Sequence, residues 1–360
     1  MWKTKEGSTG RLIQYCLGYF ICYIITGVAV KYFTSNTSMF LPHVREMEYL
    51  IYSTIGGSTI CLLVVILWRW YKIKSHSYIA VGKLKFPAEI IYIIPSGICT
   101  AVVIPTTTLM YLLPISVMIA MVIMRGSVII ISRLVDAIQI KQGILKKKIY
   151  WEEEVAVIFA VVAICLDIFY GSKIADGFEF VHSVAAMSIL GSYIIAYSIR
   201  IYIMNYYRNT RGKSVPQDNK GFFAIEQIVS ATTMLLTGFI LFKLINTDFV
   251  PIVQFQEALN APTKYWPKEI IAGLAYGVGA FFSVFLFMFK GRTATFSGLV
   301  NRLTSLVAGT IATLLFWIIF NGKSPSAKDW LSLIFIFIAV IFLTKAEKKR
   351  AAELKKQHVI

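Results

Sequence analysis

Residues 122–131 read VIMRGSVIII and residues 299–309 read LVNRLTSLVAG. Both runs are apolar enough to lie inside a membrane, and each carries one arginine, Arg125 and Arg302, about half a chain apart. A guanidinium at mid-bilayer costs roughly 2.5–3.5 kcal/mol on insertion scales. A chain that carries this cost twice, at matching places in its two halves, implies a pseudo-symmetric interior built to hold an anion.

The surrounding sequence agrees. Of its 360 residues, 57% are hydrophobic and 15% charged, with a mean hydropathy of +0.68; a soluble domain carries about 25% charged residues. Ten apolar windows of roughly membrane-spanning length follow one another. The first half holds 12–33, 49–68, 90–113, 116–134 and 155–170, with Pro114 the break between the third and fourth. The second holds 180–203, 222–244, 270–289, 293–320 and 330–344. The expected fold is therefore an all-α integral membrane protein of ten transmembrane helices.

The net charge of +17 raises the question of nucleic acid, and its distribution answers it. Of the 36 lysines and arginines, 26 fall at one set of window ends, which includes both termini and Arg200. Seven fall at the opposite ends: Lys31, Arg45, Lys173, Lys264, Lys268, Lys323 and Lys328. Arg125, Lys243 and Arg302 lie within windows. Such alternation is the positive-inside signal and places both termini in the cytoplasm; a bacterial inner membrane or a eukaryotic endomembrane suits it. The charge is topological, so no nucleic-acid partner is expected. The partners expected are the bilayer and a small-molecule substrate, and a homodimer is compatible.

Five helices per half is an odd number, so the second half (173–345) enters the membrane from the other side to the first (1–172). AEIIYIIPSG at 88–97 echoes KEIIAGLAYG at 268–277 at nearly the offset that separates the arginines. Two inverted five-helix repeats are expected, with a site near the midplane between them. Pro95, Gly97 and Pro105 interrupt the third window, and Gly273, Gly277 and Gly279 the eighth. They read either as hinges beside a site or as close-packing positions; Pro95, Pro105, Gly277 and Gly279 are the hinge candidates. The stretch 246–268 reads as an outer amphipathic turn, and residues 346–360 as a solvated basic tail that touches anionic headgroups. The N-terminal MWKTKEGSTGR lacks a cleavage pattern, so the first window reads as a retained helix.

Side chains that suit an anion accompany the arginines, whose planar forks bind phosphate or carboxylate bidentately. Tyr15, Tyr19 and Tyr23 share one face of the first window, as Tyr193 and Tyr197 do on the sixth. Tyr19, Tyr23, Tyr193 and Tyr197 read as cavity lining that stacks on a base or sugar, against the alternative of an interfacial belt. Thr107 is a further candidate, unless it and its neighbours Thr106 and Thr108 bond backbone carbonyls. Glu226 is the one deep carboxylate, a coupling group or an ion-pair partner for Arg302. Five scattered cysteines without a CxxC pair read as small core residues, and His43, His76, His182 and His358 form no catalytic or metal pattern. Neither enzyme chemistry, a metal nor a cofactor is expected.

Two stretches carry a family resemblance. Residues 110–171, from MYLLPISVMIAMVIMRGSVIIISRL to VAICLDIFYG, resemble the third-to-fifth helix region of the drug/metabolite transporter superfamily. Residues 298–349, beginning GLVNRLTSLVAG, are similar to its ninth and tenth helices. RGSVIII is closest to the nucleotide-sugar-transporter-like branch, beside the EamA-like one. The resemblance implies a ten-helix carrier working by alternating access. In members with phosphorylated substrates, basic residues on the fourth and ninth helices hold phosphate, and Arg125 and Arg302 fall on those helices. A phosphorylated sugar or nucleotide-linked metabolite is the expected substrate; a broad-specificity exporter with structural arginines is the alternative.

Overall fold

The computed structural model describes residues 7–35, 41–75, 78–81, 84–113, 117–145, 150–171, 183–210, 217–245, 247–290, 292–322 and 327–357. Eleven helices and one hairpin make up the described chain. They are α1 (Thr9–Thr34), α2 (Glu46–Leu67), β1 (Tyr78–Val81), β2 (Leu84–Pro87), α3 (Ile90–Leu112), α4 (Val117–Lys141) and α5 (Trp151–Gly171). After them come α6 (Val184–Thr210), α7 (Asn219–Lys243), α8 (Val250–Asn260), α9 (Trp266–Phe287), α10 (Ala294–Phe320) and α11 (Ala327–Gln357). Each apolar window falls on a helix, and seven of these, α1, α2, α3, α6, α7, α9 and α10, are long and apolar enough to cross a membrane. The break expected at Pro114 lies outside the described residues, as does the boundary between the halves.

Helix ends follow local chemistry. Ser8 caps α1 by accepting from the Arg11 amide, and Asp218 caps α7 by accepting from the Gly221 amide. Thr293 caps α10, whose first amides also meet a carboxylate from another helix: Ala294 N and Thr295 N donate to Asp136 of α4, at 2.9 and 2.5 Å. An anion at a helix start offsets the macrodipole, which pins α4 to α10.

The helices interleave. α1 packs on α9 and α10, and α6 on α3 and α4; α2 lies on α9 and α7 on α3; α4 meets α10 and α5 meets α11. The α2–α9 seam is the closest. A methyl group at Gly56 would stand 2.0 Å from the Ile270 carbonyl oxygen, one at Gly273 2.0 Å from that of Ser53, and one at Gly277 2.3 Å from that of Gly57. Here glycine lets two backbones touch, as small residues do in membrane helix pairs. α3 runs unbroken through Pro95 and Pro105, as α9 does through Gly277 and Gly279.

One element was not anticipated, and two expectations are corrected. The basic segment after α2 contains the antiparallel β1–β2 hairpin, with Ile79 opposite Phe86. The outer stretch after α7 is a full helix, α8. Residues 346–357 are no free tail: α11 continues through them, Lys349 pairs with Glu152, and Tyr150 donates to Glu353.

Candidate functional site

α1, α3, α4, α6 and α10 bring polar side chains to the interior of the bundle. Arg125, 1% exposed, donates to the hydroxyls of Tyr23 (2.9 Å), Tyr111 (3.0 Å) and Tyr193 (3.3 Å), and its guanidinium also lies 5.0 Å above the Tyr23 ring. Arg302 is fully buried; among the described residues its nitrogens make no hydrogen bond of good geometry, and the Tyr197 phenol is a polar neighbour. It lies 4.6 Å over the Tyr197 ring and 5.1 Å over Phe287.

The tyrosines join the two arginines. The rings of Tyr19 and Tyr23 pack tilted at 4.4 Å between centroids, and those of Tyr193 and Tyr197 at 4.7 Å. Tyr19 donates to Asn301, beside Arg302, and Asn301 donates to Ser283 of α9. The result is a closed circuit, Arg302–Tyr197–Tyr193–Arg125–Tyr23–Tyr19–Asn301, running through α10, α6, α4 and α1. The i, i+4 spacing on α1 and α6 builds it, because that spacing turns both rings of each pair to the same face.

Glu226 of α7 does not meet Arg302. It takes a bidentate pair from Arg200, at 2.9 and 2.8 Å, and the Ser96 hydroxyl at 2.6 Å. Arg200, which the sequence places among the cytoplasmic end charges, is buried at 4% exposure, 5.7 Å from the Tyr197 ring. It lies nearly three turns inside the end of α6, and a carboxylate on the adjoining element let it enter. Tyr197 therefore lies against two guanidiniums. Against the three arginines stands one carboxylate, Glu226, held by Arg200; phenols, the Asn301 amide and serine hydroxyls accompany them.

The Thr107 hydroxyl donates to the Val103 carbonyl at 2.7 Å, and Thr106 and Thr108 also bond the preceding turn. Thr107 thus satisfies backbone next to Pro105 instead of facing the arginines. Gly277 is taken up by the α2 seam, and Gly279 rests against Cys22 and Tyr23 at 3.5 Å.

Tyr111, Asn301, Ser283 and Arg200 join the centre without having been singled out from sequence. Asn301 was legible as the neighbour of Arg302, and Tyr111 as a tyrosine in the last turn of α3. A groove of about 220 Å³ lies elsewhere, between α2, α7 and α9, lined by Trp68, Trp70, Lys220, Phe223 and Phe281 among others. It is apolar and away from the arginines, which sit in a closed interior.

No family model and no curated protein matches the chain. Solved structures do match it in fold. One, described only as "Crystal structure of protein", superposes with a TM-score of 0.54 at 13% identity, covering 94% of this chain and 98% of the other. At that identity the likeness concerns fold alone.

Proposed function

We propose that this chain is a ten-helix carrier of the drug/metabolite transporter superfamily that moves a small organic anion, a phosphorylated sugar or a nucleotide-linked metabolite. It works by alternating access between two inverted repeats. The observation that carries this reading is the charge of the interior: Arg125, Arg200 and Arg302 are buried together with Glu226 as their one carboxylate. Uncompensated charge in a low-dielectric interior is costly enough that it is retained for a function. An arriving anion supplies the missing counter-charge. Arg302, which has aromatic neighbours and no carboxylate partner among the described residues, is its first ligand; Arg125 joins by exchanging phenol hydroxyls for the anion. Tyr19, Tyr23, Tyr193 and Tyr197 then offer rings and hydroxyls to a sugar or base.

The packing supports the repeats. Exchanging α1 with α6, α2 with α7, α3 with α9, α4 with α10 and α5 with α11 turns the α1–α9 contact into α6–α3, and α1–α10 into α6–α4. It turns α2–α9 into α7–α3, and leaves α4–α10 and α5–α11 unchanged. α4, α5 and α11 then complete ten spans, and the charge bias puts both termini in the cytoplasm. The second reading is a broad-specificity exporter with structural arginines. The three phenols that already satisfy much of Arg125 favour it for that residue.

The test is uptake by reconstituted liposomes of phosphorylated and matching non-phosphorylated metabolites. Phosphorylated compounds are expected to enter. Arg302→Ala is expected to abolish uptake and Arg302→Lys to retain part of it, with normal expression and unfolding temperature. Undiminished uptake in Arg302→Ala sinks the anion reading and leaves the exporter.

A further inference from the structure

Glu269 stands outside everything the carrier reading uses. It lies in the first turn of α9 at 0% exposure, and among the described residues neither of its carboxylate oxygens meets a hydrogen-bond donor. The glycine seam fixes its surroundings. Since Gly273 touches Ser53 and the Tyr52 ring lies against that of Trp266, Glu269 falls beside the first turns of α2, within electrostatic reach of Glu48, Tyr49 and Tyr52. Glu48 is itself fully buried but satisfied: it accepts from the Thr263 amide at 2.6 Å and pairs with Arg45 at 3.3 Å.

The cations on every neighbouring element are engaged elsewhere. Arg45 is held by Glu48, Glu257 and the Ala261 carbonyl. Lys264 and Lys268 lie over the Tyr265 ring. On α1, Lys31 donates to the Tyr111 carbonyl while also acting on Glu46; on α7, Lys243 lies over Phe242. The charged residue of α10 is Arg302 and those of α6 are Arg200 and Arg208, all in the circuit or beyond it. The start of α9 contributes the positive end of its dipole, and the neighbouring Glu48 opposes it. A buried carboxylate with no donor, facing a second carboxylate, needs a counter-ion that the side chains do not provide.

We propose that a small monovalent cation, a proton or sodium, binds Glu269 in the α2–α9 seam, with Glu48 as the second charge that attracts it. Among the described residues no three acidic, histidine or cysteine side chains gather as a divalent ion would require, so the ligand is monovalent. In the orientation given by the basic residues the seam's Glu48 end faces outward. The cation there is the coupling ion of the carrier, and only that purpose rests on the transport reading; binding itself does not.

The test needs no transported substrate. The unfolding temperature of the purified full-length protein is measured in sodium chloride against N-methylglucamine chloride, each over a range of pH. A ligand that binds only the folded state stabilises it by RT ln(1 + [L]/Kd), so that temperature climbs as the cation concentration passes Kd. Wild type is expected to respond to sodium, or to acidification if the cation is a proton, and Glu269→Gln to lose that response while folding normally. Glu48→Gln is expected to need several-fold more of the same cation. Three results overturn the site: a wild type indifferent to both, a Glu269→Gln protein that responds as wild type does, or one that fails to fold, since the last shows that the charge has a protein partner. A cation response without uptake of any anion refutes the carrier and keeps the site.

Discussion

At the scale of single residues, the interior is governed by which charges have partners. Arg200 and Glu226 form a bidentate pair that neither side chain leaves cheaply. Breaking a buried pair by removing one partner costs about 3–5 kcal/mol, whereas replacing both with apolar groups of similar volume is close to neutral. Glu226→Gln is therefore expected to lower the unfolding midpoint sharply, and Arg200→Met with Glu226→Met to restore most of it. A double variant as unstable as the single one shows that the pair is not what holds α6 to α7. The sequence revealed the arginines at 125 and 302 because apolar flanks make a charge conspicuous. It concealed Arg200, which lies near enough to the end of the apolar window 180–203 to pass for an interfacial charge, although α6 runs on to Thr210. Nor does a sequence indicate which of two arginines a glutamate faces: depth along two helices placed Glu226 near Arg302, but the rotation of α6 about its axis brings Arg200 to it. Thr107 was ambiguous for a similar reason, since a hydroxyl beside a proline has a carbonyl within reach on its own helix.

Among elements, the α2–α9 seam separates glycines that touch backbone from glycines that do not. Adding a methyl at Gly273 drives it into the Ser53 carbonyl, backbone that has no rotamer with which to yield, while at Gly279 the nearest atoms stand at an ordinary 3.5 Å. Overpacking typically costs about 1–3 kcal/mol. Gly273→Ala is expected to lower thermal stability by an amount in that range and Gly279→Ala to leave it nearly unchanged, as followed by unfolding of the purified protein. Equal effects at the two positions refute the seam as the close contact. The long apolar helices were legible because about twenty apolar residues in a row have few alternatives to a helix in lipid, whereas the short α8 was not. What lies beyond the apolar core was less so. The last helix runs on into a charged stretch because Glu152 and Tyr150 give Lys349 and Glu353 partners, and such distant pairings leave no periodic trace. The hairpin at Tyr78–Val81 and Leu84–Pro87 has strands of four residues each, too short for an alternating pattern to stand out.

For the whole molecule, direction is the consequence of the proposed repeats that is open to measurement. Along the glycine seam Ser53 meets Gly273 and Gly57 meets Gly277, so α2 and α9 run parallel. Parallel neighbours require an even number of crossings from one to the other. The six steps from α2 to α9 through α3, α4, α5, α6, α7 and α9 meet this if each of those helices spans and α8 does not. The inverted relation then requires α3 and its counterpart α9 to enter from opposite faces. Lys85 precedes α3 and Lys264 precedes α9, and both side chains are exposed. In a background with the native cysteines replaced, Lys264→Cys is expected to react with an impermeant thiol reagent added outside intact cells. Lys85→Cys is expected to react only once the membrane is opened. A 22-residue helix is about 33 Å long at 1.5 Å per residue, which matches the hydrocarbon core, so an intermediate result is not expected. If both positions label from the same face, the two halves are not inverted, and a site shared between rocking repeats loses its basis even if Arg302 still binds an anion.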